Sequence, residues 1–163
     1  MDLKPAFDVI RATPFATWVG ESSWGFPISE SIHVLAVVLV VGSIAFVDLR
    51  LVGIVGRPSR ITEMTRDMLP WTWGAFAIAL LSGLAMFSSN PDVYFNNTAF
   101  RLKMLCLVIA GVNMLIFERI TVRSVDQWDL ELPAPPAAKV AGLVSLFFWI
   151  LVVGCGRWIG FTL

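Results

Sequence analysis

A single histidine, His33, lies inside the first of four apolar stretches of this chain, and no other residue asks so directly for a reason. An imidazole within a hydrocarbon span is costly unless partnered, so such residues mark function by default. Ser29 and Glu30 stand four and three residues before it, on the same helical face. Glu30 could fix the ring's tautomer and leave the other ring nitrogen to a ligand. The plainer alternative is a hydrogen-bonded histidine close to the membrane interface.

Other groups share its depth if the four stretches form an antiparallel bundle. Met86 ends the second stretch, Met104 and Cys106 open the third, and Cys155 lies near the end of the fourth. Imidazole, thioether and thiolate together suit a copper ion in its cuprous state better than a hard cation. Met104 and Cys106 are two apart, so only one of them can face a common site. Arg101, Lys103 and Arg157 also fall in this layer. Cations beside an axial imidazole are what haem b and its propionates require. The second axial ligand would be Met86, Met104 or a second subunit's histidine. Alternatively, the three cations snorkel to lipid headgroups.

At the other end, Asp48 with Arg50 closes the first stretch and Glu118 with Arg119 closes the third. Pairing between them would neutralise buried charge, a structural use rather than a proton relay. The chain shows no Ser–His–Asp arrangement, no glycine-rich phosphate loop and no HExxH, so an enzyme is disfavoured. With 12 basic and 12 acidic side chains there is no charge excess to draw nucleic acid.

The elements that must position these groups are long. Residues 28–51, 68–89, 100–120 and 140–161 are each near the ~20 apolar residues a spanning helix needs. Within a bilayer the backbone must satisfy its own polar groups, which leaves helices as the form these stretches take. At 57% hydrophobic over 163 residues, there is no room for a soluble domain beside them. In the third stretch only Met104–Phe117 is free of charge, and Arg101, Lys103 and Arg119 must snorkel to complete the crossing. Ala75, Ala79 and Gly83, and likewise Gly156 and Gly160, form small-residue faces suited to close helix packing.

Residues 3–19 read as an amphipathic interfacial helix, with Leu3, Phe7, Ile10 and Trp18 on one face and a break or kink at Pro14. Ser29 or Ser31 could cap the first span. Ile61, Met64 and Met68 suggest a short interfacial helix before the second. Asn90-Pro91-Asp92 and Asn96-Asn97 read as turn chemistry, and 121–138 as an acidic, proline-rich connector. Residues 1–27 carry Asp2, Lys4, Asp8, Arg11 and Glu21 and no uninterrupted apolar run, so no cleavable signal peptide is expected. Cys106 and Cys155 both lie in spans and read as buried thiols. Seven basic residues fall in the loops after spans one and three, against five on the other side, which predicts cytoplasmic loops and periplasmic termini.

The segments 31–53, 96–107 and 156–161 resemble an uncharacterised family of small bacterial four-helix membrane proteins, over almost the whole chain. The matching residues are His33, Gly42, Ser43, Asp48, Leu49 and Arg50, then Phe100 to Lys103, then Gly156, Arg157 and Trp158. More remotely, the histidine- and glycine-bearing first helix is similar to the CopD-type copper-resistance proteins of the inner membrane, a resemblance that implies copper handling.

The expectation is thus an all-α protein of the bacterial inner membrane. A periplasmic interfacial segment (1–27) would precede a four-span domain (28–163). Its first expected function is binding or handling a redox metal, copper preferred, around His33 at the periplasmic face. The alternatives are a b-type haem cytochrome and a cofactor-free subunit or assembly factor. Self-association in the bilayer and a periplasmic metal or electron-transfer partner are also expected.

Overall fold

The computed structural model describes residues 4–55, 60–117, 119 and 134–162. Among them are seven helices and no strand: α1 (Lys4–Arg11), α2 (Pro14–Glu21), α3 (Gly25–Val52), α4 (Ile61–Ser89), α5 (Pro91–Asn96), α6 (Thr98–Ile116) and α7 (Pro136–Thr162). Four of these, α3, α4, α6 and α7, are long and apolar enough to cross a membrane. Their apolar residues run all round the helix, and large side chains such as Leu35, Leu39, Leu81 and Val108 are turned outward. That is the surface a bilayer covers and water would not.

The helix ends differ instructively from the hydropathy boundaries. The N-terminal segment is broken ahead of Pro14 into two helices, α1 and α2. Thr13 caps α2 by accepting from the Ala16 amide at 3.3 Å, and Pro14 starts the helix where its missing N–H costs nothing. The first span begins at Gly25, so Ser29 and Ser31 are not caps. Their hydroxyls donate one turn back, to the carbonyls of Gly25 at 2.9 Å and Pro27 at 2.7 Å. The N-cap of α3 is Trp24, and just before it Ser22 Oγ accepts from the amides of Trp24 and Gly25, each at 3.2 Å. The expected interfacial helix at 61–68 is continuous with the second span, which runs on through Pro70. The turn at 90–97 closes a short helix, α5, and Asn97 then caps α6 by accepting from Ala99 and Phe100. Most of the connector 121–138 lies outside the described residues; its last prolines, Pro135 and Pro136, lead into α7.

The four spans form a row that folds back on itself. α4 packs on α3, α3 on α7 and α7 on α6, while α4 and α6 share no extensive contact. Small residues set the tight places. A Cβ at Gly142 of α7 would lie 3.1 Å from the Asp48 carbonyl of α3. At one end of the row, α1, α2 and α5 form a cap. Phe87 of α4 stacks on Phe100 of α6 with centroids 5.6 Å apart, joined by Phe7, Tyr94 and Phe95. The opposite end is closed by Leu51, Ile61, Ala134 and Ala138, with Val47 and Phe117 against them.

Candidate functional site

Below the aromatic cap, all four spans contribute to one layer. His33 is the ninth residue of α3 and Lys103 the sixth of α6, while Ser82 and Cys155 each stand seven residues before the ends of α4 and α7. At 1.5 Å per residue these positions lie roughly 8–10 Å below the capped helix ends, His33 slightly deeper.

The His33 ring is turned towards α4. Its Nδ1 is 2.8 Å from the Ala79 carbonyl oxygen and 3.1 Å from Ser82 Oγ. A carbonyl only accepts, so Nδ1 carries the proton and donates. Ser82 donates its own hydrogen to the Ile78 carbonyl at 2.7 Å, which leaves its oxygen free to accept from His33. In the neutral ring the lone pair is then on Nε2. That nitrogen faces Lys103 Nζ at 3.4 Å. Gly83 makes the arrangement possible, because a Cβ there would stand 3.1 Å from His33 Cε1.

Lys103 is the only cation of the expected trio that turns inward. Its stem passes Gly156 of α7, where a Cβ would come within 3.5 Å of Nζ. Cys155 lies within electrostatic reach of both Lys103 and Cys106. Both thiols are buried and free. Arg101 and Arg157 are exposed, and Arg157 lays its guanidinium over the Phe161 ring at 4.7 Å. These two behave as surface cations, the snorkelling alternative.

Three other expected members are placed elsewhere. Met104 follows Lys103 directly and is therefore rotated out of the layer; it is 37% exposed. Met86 is half-buried on α4, and no sulfur is among the hydrogen-bond partners of His33. Glu30 is exposed, and the tautomer-fixing role expected of it falls to the Ala79 carbonyl. Glu30 instead faces the cap, where it acts on Tyr94. Burial, with the Glu30 charge second, pushes the Tyr94 phenol up to about 12. Among the described residues, no group of three or more His, Cys, Asp or Glu is gathered to hold a metal.

At the far end, Asp48 and Arg50 are both buried, at 6% and 4% exposure. The Ser145 hydroxyl of α7 is a side-chain hydrogen-bond partner of Asp48. Among the described residues, Asp48 Oδ2 and Arg50 Nε are the buried side-chain polar atoms without a hydrogen-bond partner. Arg119 is exposed, and Glu118 lies outside the described residues. Between the two ends, Thr72 Oγ1 donates to Ser43 Oγ at 2.7 Å, tying α4 to α3.

Ala79 and Gly83 were legible in the sequence only as members of a small-residue face. The hydrogen bonds of Ala79 and Ser82 to His33, and the contact of Gly83 with its ring, depend on which helix is the neighbour, and no spacing in the sequence reveals that. No curated protein matches this chain, and no solved structure does. A family model does match, over residues 8–162, which takes in α2 to α7 and the whole His33 layer. The chain belongs to that family, a family of unknown function designated DUF6644.

Proposed function

We propose that the protein binds a redox-active metal group at its capped end, with His33 Nε2 as the protein's ligand. The observation that carries this is the Nδ1–H bond to the Ala79 carbonyl, which fixes the ring and aims an unprotonated Nε2 into the bundle. The Nε2 lone pair, faced by Lys103 Nζ at 3.4 Å, is what a metal would take.

Of the two groups the sequence suggests, haem b fits this layer better than a bare copper ion. Copper would have to draw two or three soft ligands from the protein, and Met104 is turned away. It would also meet the Lys103 ammonium, a like charge. Haem brings four nitrogen ligands of its own and asks for an axial imidazole and cations for its propionates. One histidine and one inward lysine supply that minimum. Cys155, close to Lys103, is the one observation that keeps a cuprous site as the second reading.

The activity that follows is electron transfer by a b-type membrane cytochrome, with an electron-transfer partner on the capped side. The basic bias supports an inner-membrane protein with both termini and the cap facing the periplasm. A membrane-impermeant thiol reagent applied from outside should then label a cysteine placed at Asn96 and not one placed at Arg119. The small, open positions Gly74, Gly111 and Gly154 on lipid-facing surfaces support self-association.

The optical spectrum of protein purified in mild detergent, with metal analysis, tests the proposal. A Soret band with about one iron per haem supports it. Stoichiometric copper without that band moves the assignment to the second reading. Neither iron nor copper, with reconstitution also failing, leaves a cofactor-free subunit.

A further inference from the structure

We infer that the cavity between α2 and the end of α4 holds one lipid headgroup that carries both a phosphate and a primary ammonium, the headgroup of phosphatidylethanolamine. None of its lining residues belongs to the His33 layer, so the inference does not depend on the metal reading.

The cavity follows from the way α2 sits on α4. Ala16 and Val19 are buried, and Gly20 brings the α2 backbone so close that a Cβ there would lie 3.3 Å from Ser89 Cβ. Beside that contact a space of about 80 Å³ stays open, bordered by Arg11, Thr17, Glu21, Ser89 and Asn90. A water takes about 10–15 Å³ of such a space, so the room is for several polar atoms, the scale of one small headgroup.

The lining divides into donors and acceptors. Among the described residues neither the Arg11 guanidinium nor the Glu21 carboxylate has an ion-pair partner, each other included. Asn90 holds the N-cap position of α5, yet its side chain makes no capping bond and its amide is left for a ligand. Thr17 and Ser89 commit their hydrogens to the carbonyls of Thr13 at 3.1 Å and Met86 at 2.7 Å, so their oxygens are left to accept. A phosphate answers Arg11 and the Asn90 amide, because a guanidinium forks onto two oxygens at once. A primary ammonium, with three N–H donors, answers Glu21, Thr17 and Ser89. One small molecule bearing both groups leaves neither charge unmatched.

Position selects the bilayer as its source. The cap closes one end of four spanning helices, and Phe15 and Trp18 of α2 and Trp24 just after it are exposed. Tryptophan turned outward at the end of a span settles at headgroup level. The cavity therefore opens where lipid phosphates and amines are concentrated. A choline headgroup brings the phosphate without N–H donors, and a glycerol headgroup brings no cation for Glu21.

Native mass spectrometry of the full chain in non-ionic detergent, titrated with phosphatidylethanolamine or phosphatidylcholine of identical acyl chains, tests this. The wild type should hold one phosphatidylethanolamine about tenfold more tightly, the size of one charge-assisted contact. Glu21→Gln should bring the two lipids level, and Arg11→Gln should weaken both. Arg157→Gln, an exposed cation outside the cavity, should leave the preference in place. Glycerophosphoethanolamine, the same headgroup without chains, should compete only in large excess. Equal binding of the two lipids by the wild type overturns the site, as does a preference that survives Glu21→Gln. Competition by glycerophosphoethanolamine at equal concentration overturns the bilayer as the source. The wild-type comparison decides the matter even where a variant does not fold.

Discussion

His33 of α3 and Gly83 of α4 are packed so closely that the glycine's missing side chain is part of the site. A Cβ at position 83 would sit 3.1 Å from His33 Cε1 and 3.4 Å from Nδ1. This contact, with the Ala79 bond, fixes the ring's plane and direction. Gly83→Ala requires the ring to give by a few tenths of an ångström. Gly83→Val cannot be absorbed without breaking the 2.8 Å bond to Ala79.

Gly83→Val should therefore cost about 1–3 kcal/mol of stability, the usual range for overpacking. Cofactor content should fall well beyond what that loss accounts for. Mixed-micelle unfolding and the Soret absorbance of the same preparation measure the two together. Full cofactor content in a destabilised Gly83→Val protein would separate the ring's position from binding.

The docking of α2 on α3 yields a sharper contrast between two glycines of one helix. A Cβ at Gly25 would meet the Trp18 carbonyl oxygen at 2.5 Å and Val19 Cα at 2.9 Å, both backbone atoms that cannot rotate away. Gly42, seventeen residues on, has nothing within 4 Å. Gly25→Ala should lift α2 and expose its N-terminal segment to protease. Gly42→Ala should be neutral, or stabilise by up to about 1 kcal/mol through helix propensity. Limited proteolysis and unfolding of the pair check this, and similar behaviour of the two variants would contradict the packing.

Tyr94 reports on the cap, because it is the only tyrosine in the chain. Burial is the main reason its phenol is held near 12 rather than 10, and the Glu30 charge adds to it. Phenolate absorbance should have its midpoint well above pH 10, and Glu30→Gln should lower that midpoint. For an acid whose folded value is raised, the unfolded state loses its proton first. Stability should therefore fall as pH rises from about 10 towards 12. Tyr94→Phe should remove this alkaline loss. A midpoint at 10 would mean that α5 is not docked.

The spans could be read directly, since about twenty apolar residues in water have no better explanation than a membrane. Their ends could not. Pro70 lies within a continuous helix and Pro136 opens one, so the same residue type carries opposite signals in different settings. His33 stood out because imidazole is expensive in a span. Its partners did not, because a helix apolar on every side has no periodicity to say which face meets a neighbour. Met104 and Lys103 illustrate the loss. Both fell in the right layer by counting residues, yet the step between adjacent positions turns one outward and the other onto His33. Counting along the helix gives depth, and only the fold gives direction.

The central claim, that His33 Nε2 binds a redox metal group, is tested most directly by cofactor stoichiometry in wild type and His33→Ala. Both should be purified in parallel under conditions that preserve insertion. His33→Ala keeps helix propensity, and the account predicts unchanged expression and oligomer size with loss of the bound haem and its Soret band. A His33→Ala protein that retains wild-type cofactor content would contradict the account and leave His33 as a hydrogen bond between α3 and α4.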